Sequence, residues 1–208
     1  MYKPAAFAED RPDVLARAMA DIQLAALVTP SADGLVITHV PMVVRHLADQ
    51  IVLETHVARA NPHWRAEPVG PSAAIFQGPQ SYVSPSWYPS KQEHGKVVPT
   101  WAYIAVHAHG TMETCQDDDW LQQHLNALTD ANERDRDAPW QVSDAPDRFI
   151  GSLSRGIVGL RLVIDRLEGS WKINQHKSDA DQIGTEAGLR SAGPDGAALA
   201  AALAQSRD

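Results

Sequence analysis

The sequence predicts an α+β or mainly β fold, with antiparallel strands as the framework and helices between hairpins and at the ends. Three observations carry that expectation. Short apolar runs bounded by Gly, Pro, Asn and Asp recur along the chain, as in strands joined by turns. Strand and helix patterns do not alternate regularly, which argues against a doubly wound parallel sheet. The 208 residues are 44% apolar, which suits one domain with a full core, or one domain plus a small appendage.

The elements follow in order. Asp10-Arg11-Pro12-Asp13 starts a helix, because Asp10 can cap free N–H groups and Pro12 suits the first turn. Val14, Leu15, Ala18, Met19 and Ile22 form its apolar stripe. Leu24 to Thr29 reads as a short buried strand, and Ser31-Ala32-Asp33-Gly34 as a hairpin turn. Leu35 to Val44 is the return strand, interrupted at Pro41. Gln50 to Val57 is a third strand, and Asn61-Pro62-His63-Trp64 opens a short helix or turn. Ala73 to Gly78 and Gln80 to Val83 read as two further strands. Pro85 to Gly95 is irregular. Val97 to His109 is a long strand, with Gly110 to Cys115 its continuation or partner.

Asp117-Asp118-Asp119 starts a second helix with its carboxylates at the positive end. Its apolar face is Trp120, Leu121, Leu125 and Leu128. Residues 131–147 form a loop, and Arg148 to Arg155 a brief helix. Ile157 to Ile164 is a strand, and Leu167 to Ile173 turns back as another. Asp179 to Leu189 is helical, Gly193-Pro194-Asp195-Gly196 breaks it, and Ala197 to Ala204 is a last helix. These elements divide into one domain over residues 1–190 and a C-terminal helical tail over 191–208.

No apolar run approaches a membrane span, and the first residues lack the apolar stretch of a secretory signal. The single cysteine, Cys115, cannot form an internal disulfide. Together these point to the cytoplasm. The net charge of −8 repels nucleic-acid phosphates, and no basic arm or helix is evident. DNA therefore stands as a weakly supported partner. His107 and His109 share a strand face, but two histidines without a partner at telling spacing make no metal motif. Carboxylates near Cys115 make it a poor nucleophile.

Four stretches are more distinctive. They are His56 to Trp64 (HVARANPHW), Phe76 to Lys91 (FQGPQSYVSPSWYPSK), Val98 to Gly110 (VPTWAYIAVHAHG) and Leu167 to Lys172 (LEGSWK). In this order, and with the opening Met1-Tyr2-Lys3-Pro4 and Phe7, they resemble the PaiB-like FMN-binding negative transcriptional regulators. The resemblance implies a split β-barrel like that of the pyridoxamine-phosphate-oxidase-like flavoproteins, with FMN in clefts where two subunits of a homodimer meet. Family members usually read Lys-x-Ser-Gln-Asn after the final Trp. Here Lys172 and Gln175 keep their type, while Asn174 and His176 depart.

FMN requires cations, hydroxyls or N–H groups for its phosphate, and a flat slot with hydrogen-bond donors for its ring. The resemblance makes His56, Arg59 and Asn61 the phosphate candidates; the alternative is that Arg59 pairs with a carboxylate and Asn61-Pro62 only starts a helix. Ser84, Ser86, Trp87 and Tyr88 either supply hydroxyls and a ring wall for the flavin, or form a loop pinned by prolines and aromatic packing, or make a dimer contact. Period-two alternation puts Trp101 and Tyr103 on one strand face and Thr100 on the other; they line the cleft or fill the sheet core. Thr38 and His39 are candidates beside the ring edge, and Lys172 and Gln175 complete the set. No catalytic residue is evident. Besides a regulator, a flavin-dependent oxidoreductase acting on a small molecule and a haem-binding relative on the same barrel remain open.

Overall fold

In the computed structural model the described residues are 1–47 and 50–207; Ala48, Asp49 and Asp208, the last residue of the expected tail, lie outside them. The elements are β1 (Ala8–Glu9), α1 (Pro12–Ile22), β2 (Leu24–Ser31), β3 (Gly34–Pro41), β4 (Val43–Leu47), β5 (Gln50–Ala58), β6 (Ser72–Val83), α2 (Ser90–His94), β7 (Thr100–Cys115), α3 (Asp118–Glu133), α4 (Asp147–Ser154), β8 (Ile157–Lys172), α5 (Asp179–Arg190) and α6 (Gly193–Gln205). The sheet order is β3-β2-β6-β7-β8-β5-β4, with β1 added on β8. The chain forms two compact units, Met1–Leu15 with Gln77–Val106 and Glu168–Asp208, and Ala16–Phe76 with His107–Leu167.

The second of these units holds the hairpin expected at residues 31–34. Ser31 pairs with Gly34, and Gly34 takes φ +118°, a conformation only glycine adopts without strain. The next strand differs from the sequence reading. Residues 35–44 are not one strand: β3 ends at Pro41, and β4 begins at Val43 and pairs with β5, not β2. Proline has no N–H for the ladder, so pairing stops there. A single residue, Met42, therefore links the two terminal strands of the sheet path. Neighbouring Cα atoms lie about 3.8 Å apart, so the sheet must curl until its ends approach. No ladder joins β3 to β4 among the described residues, so the curl is an open, split barrel. Alternation along β2 sends Ala25, Leu27 and Thr29 inward, where Val40, Leu53, Phe76, Leu160 and Leu162 are also buried. Leu24 is exposed, so β2 is half-buried rather than wholly buried.

Asp117 caps α3 by accepting from the Trp120 N–H at 2.8 Å, as its position predicts. The helix buries Leu121 and His124 rather than the full apolar face expected.

The first unit packs a core of Val83, Tyr88, Ala102, Ile104, Ile173, Leu189, Leu199 and Leu203. Two readings are corrected by long strands. Residues 73–83 form the single strand β6, and residues 157–172 the single strand β8 with no turn-back at Leu167. The Gly and Pro that prompted a break are accommodated inside each strand. The segment 85–95 is a short 3-10 turn followed by α2, with Gly95 closing it at φ +66°. No helix among the described residues is long and apolar enough to cross a membrane.

Candidate functional site

The turn after β5 carries the densest chemistry of its unit. Asn61 accepts from the His63 N–H at 2.9 Å and so caps a 3-10 turn, Pro62–Arg65. The Trp64 indole N–H donates to the Arg59 carbonyl at 3.0 Å, and the Arg65 guanidinium lies 4.4 Å from the Trp64 ring centre. Among the described residues Arg59 does not meet a carboxylate. It donates from Nε to the Arg155 carbonyl at 2.9 Å, from one Nη to the Ile157 carbonyl at 3.0 Å, and from the other to Gln116 Oε1 at 3.1 Å. A guanidinium has five N–H donors, so two remain after these contacts.

Thr38 and Asn61, distant in sequence, are brought together. Asn61 Nδ2 donates to Thr38 Oγ1 at 3.3 Å, and His63 Nδ1 lies 2.8 Å from the same hydroxyl. The other His63 nitrogen is 2.9 Å from Thr29 Oγ1, which is 2.8 Å from Ser72 Oγ. His63, Thr29 and Ser72 are buried, so a hydrogen-bonded chain of five side chains runs from Ser72 through Thr29 and His63 to the partly open Thr38 and Asn61. Burial holds His63 below the usual imidazole range. Its neutral ring donates at one nitrogen and accepts at the other. His39, next to Thr38 on the end strand, is exposed.

His56 is not part of this group. Its Nδ1 lies 3.0 Å from Nε2 of the fully buried His124, whose ring stacks on Trp120 at 5.2 Å and 9°. Burial lowers the pKa of His56. Burial first, then the nearby His56 and Arg45 charges, take His124 down to about 3.

The remaining candidates belong to the other unit. Ser84 Oγ accepts from the Ser86 N–H at 3.2 Å, and Ser86 Oγ accepts from Lys91 Nζ at 3.3 Å. Trp87 packs on the core, its ring against Gly188 of α5. Trp101 and Tyr103 share the outward face, as alternation predicts, while Ala102 and Ile104 are buried; Thr100 is half-buried. Trp101 donates to Gln80 Oε1 at 3.2 Å and meets Tyr82 edge-on. Lys172 Nζ sits 5.8 Å from the Tyr103 ring centre. Gln175 accepts from the Ile173 N–H and donates to the Trp171 and Ala6 carbonyls. Asn174 takes φ +71° and donates to the Tyr88 hydroxyl at 2.9 Å.

Sequence reasoning missed His63 and His124. His63 lies inside a motif already singled out, yet only burial shows that it is a bridge. His124 sits on a helix among polar residues, and nothing in its neighbourhood marks it as His56's partner.

Residues 1–166 match the family described as "Putative FMN-binding domain". The protease synthase and sporulation protein PAI 2 of Bacillus subtilis (strain 168) is 27% identical over 184 residues, covering 88% of this chain and 86% of the relative. Among solved structures, the FAD and haem binding protein of Mycobacterium smegmatis superposes with a TM-score of 0.56 at 19% identity, over 79% of this chain and 73% of that one. The flavocytochrome Anf3 of Azotobacter vinelandii gives 0.56 at 11% identity, over 79% and 69%. At these identities the two structures speak to fold alone, and they share the open barrel described above. The family match spans most of the chain, and the chain belongs to the PaiB-like FMN-binding family.

Proposed function

We propose that this chain is a cytoplasmic, homodimeric FMN-binding protein. The observation that carries the proposal is the family match over residues 1–166, which includes the whole 56–65 turn. The residues present suit a flavin phosphate. Arg59 retains two N–H donors on a guanidinium already anchored by three contacts, and the exposed Arg65 adds a second cation beside it. Charged donors of this kind offset the desolvation of a dianion. Asn61 and Thr38 supply the amide and hydroxyl for the ribityl chain or ring edge. His56 is left out of the phosphate set, because a neutral imidazole bound to His124 offers no positive charge. Leu35 and Ile37, exposed on the end strand beside Thr38, supply apolar surface for a second copy.

FMN supplies redox-active ring chemistry when bound; the chain's residues bind and orient it. The test is fluorescence quenching with FMN, FAD and riboflavin, together with native mass. FMN should bind far more tightly than riboflavin, which lacks the phosphate, and the mass should be twice that of one chain. Protein that leaves FMN fluorescence unchanged, or binds riboflavin equally well, sinks the proposal.

The regulatory role implied by the resemblance is proposed with it. The charge of −8 favours action through a partner over broad contact with DNA phosphates. Specific retardation of one genomic fragment in a gel shift would overturn the indirect route.

A further inference from the structure

A cavity of about 440 Å3 opens in the second unit between α3, α4 and the adjoining ends of β5 and β8. Leu125, Trp140, Val142, Ile150 and Leu153 make most of its wall, and His56, whose Nδ1 is taken by His124, borders it with its other ring nitrogen. Its size falls within the range of small-molecule sites. Among the described residues no Asp, Glu, Lys or Arg side chain lines it, so a charged occupant would be desolvated without a counter-ion.

The hydrogen-bond character of His56 follows from its partner. His124 Nδ1 is buried and has no partner among the described residues. An orphaned buried N–H is rarer and more costly than an under-used acceptor. His124 therefore leaves Nδ1 bare and carries its proton on Nε2, which donates to His56 Nδ1 across 3.0 Å. A neutral His56 then has its own proton on Nε2, its remaining nitrogen. The pair presents an N–H donor to the cavity, in a mainly apolar wall whose other polar side-chain groups are the Thr129 hydroxyl, the Trp140 indole N–H and the Ser154 hydroxyl, the last already donating to the Ile150 carbonyl.

We propose that this cavity binds a compact, uncharged, mainly apolar molecule whose carbonyl oxygen accepts from His56 Nε2–H. The natural chemical class is an aromatic ketone or amide, and the site stands independently of the flavin reading.

The experiment uses full-length protein labelled with 15N-histidine and two probes of one shape, acetophenone and ethylbenzene. In free protein, His56 should show a protonated Nε2 and His124 a bare Nδ1. Acetophenone should shift the His56 Nε2 signal, and ethylbenzene should bind without shifting it. Leu125→Trp, which fills the cavity, should abolish both. Leu153→Trp at the exposed rim, a variant that does not challenge the core, should weaken acetophenone by about tenfold. A proton on His124 Nδ1, equal effects of the two probes on His56, or acetophenone shifts that survive both variants would overturn the proposal. So would shifts that vanish as the chain associates with increasing concentration, since a second copy would then be the occupant.

Discussion

Gly188→Ala is the sharpest test of how Trp87 is used, because local and tertiary effects oppose each other. In an exposed helix, Gly→Ala raises stability by about 1 kcal/mol through helix propensity. At Gly188, however, a Cβ would lie 2.1, 2.5 and 2.6 Å from three central atoms of the Trp87 ring. Those atoms are the fused bond of the indole and its neighbour, not the end of a flexible chain, and the ring also packs on the unit's core. Relieving the contact means moving the indole by about an ångström, an overpacking change of roughly 1–3 kcal/mol. The net expectation is a loss of about 1 kcal/mol, or a drop in Tm of about 2–4 °C for a chain this size, and a larger loss for Gly188→Val. Gly151 in α4 is the control: nothing lies within 4 Å of its added Cβ, so Gly151→Ala should gain about 0.5–1 kcal/mol. Urea unfolding of both variants measures the pair, with FMN titration alongside. A packing role for Trp87 leaves FMN affinity unchanged. If Gly188→Ala is as stable as the parent while Gly151→Ala gains, Trp87 is not clamped against α5 and the reasoning fails.

Three further outcomes are expected. Arg59→Ala should weaken FMN binding by about 1–3 kcal/mol, the scale of one charge-assisted hydrogen bond; an unchanged titration removes Arg59 from the site. His56, His63 and His124 have folded pKa values lowered from 6.5, chiefly by burial. Below pH 6.5 the unfolded chain takes up protons that the folded chain refuses, so stability should fall with pH by up to about 1.4 kcal/mol per unit per histidine. For His124 that loss continues down to about pH 3, and His124→Phe should flatten the profile; an unaltered slope would contradict the assignment. Burial pushes the Cys115 thiol up, with Arg161 opposing and Glu113 and Glu54 adding to the rise. Iodoacetamide should therefore alkylate it more slowly at neutral pH than a free thiol, and an equal rate would refute the claim.

The fold was legible where chemistry is local. The hairpin at Ser31–Gly34, the Asp117 cap and the Asn61-Pro62 turn each depend on two to four neighbouring residues. The breaks placed within β6 and β8 arose from the same local rules, because Gly78-Pro79 and Gly169 read as punctuation. Position in the sheet overrode them. The separation of β3 from β4 was legible only in part: Pro41 marked the interruption, but that the chain there crosses from one end of the sheet path to the other is a property of the whole curled sheet. No window of sequence contains it.

The candidate site shows why residue type alone under-determines role. Arg59 reads as a free cation in the sequence, yet its decisive partners, the carbonyls of Arg155 and Ile157, lie 96 and 98 residues away. Those contacts appear at first to compete with phosphate. The physical consequence runs the other way. An arginine on an exposed turn loses rotamer freedom when it grips a ligand, a cost of about 0.5–1.5 kcal/mol per side chain. Here the guanidinium is already fixed by three hydrogen bonds to its own chain, and that entropy is lost on folding. Two N–H donors remain on a group whose plane and position are set in advance. Arg65, exposed and set against the Trp64 ring, shows no such anchoring among the described residues. If both meet the same anion, Arg59 should therefore contribute the larger share of affinity and Arg65 the larger share of long-range attraction, so that added salt weakens the part due to Arg65 first.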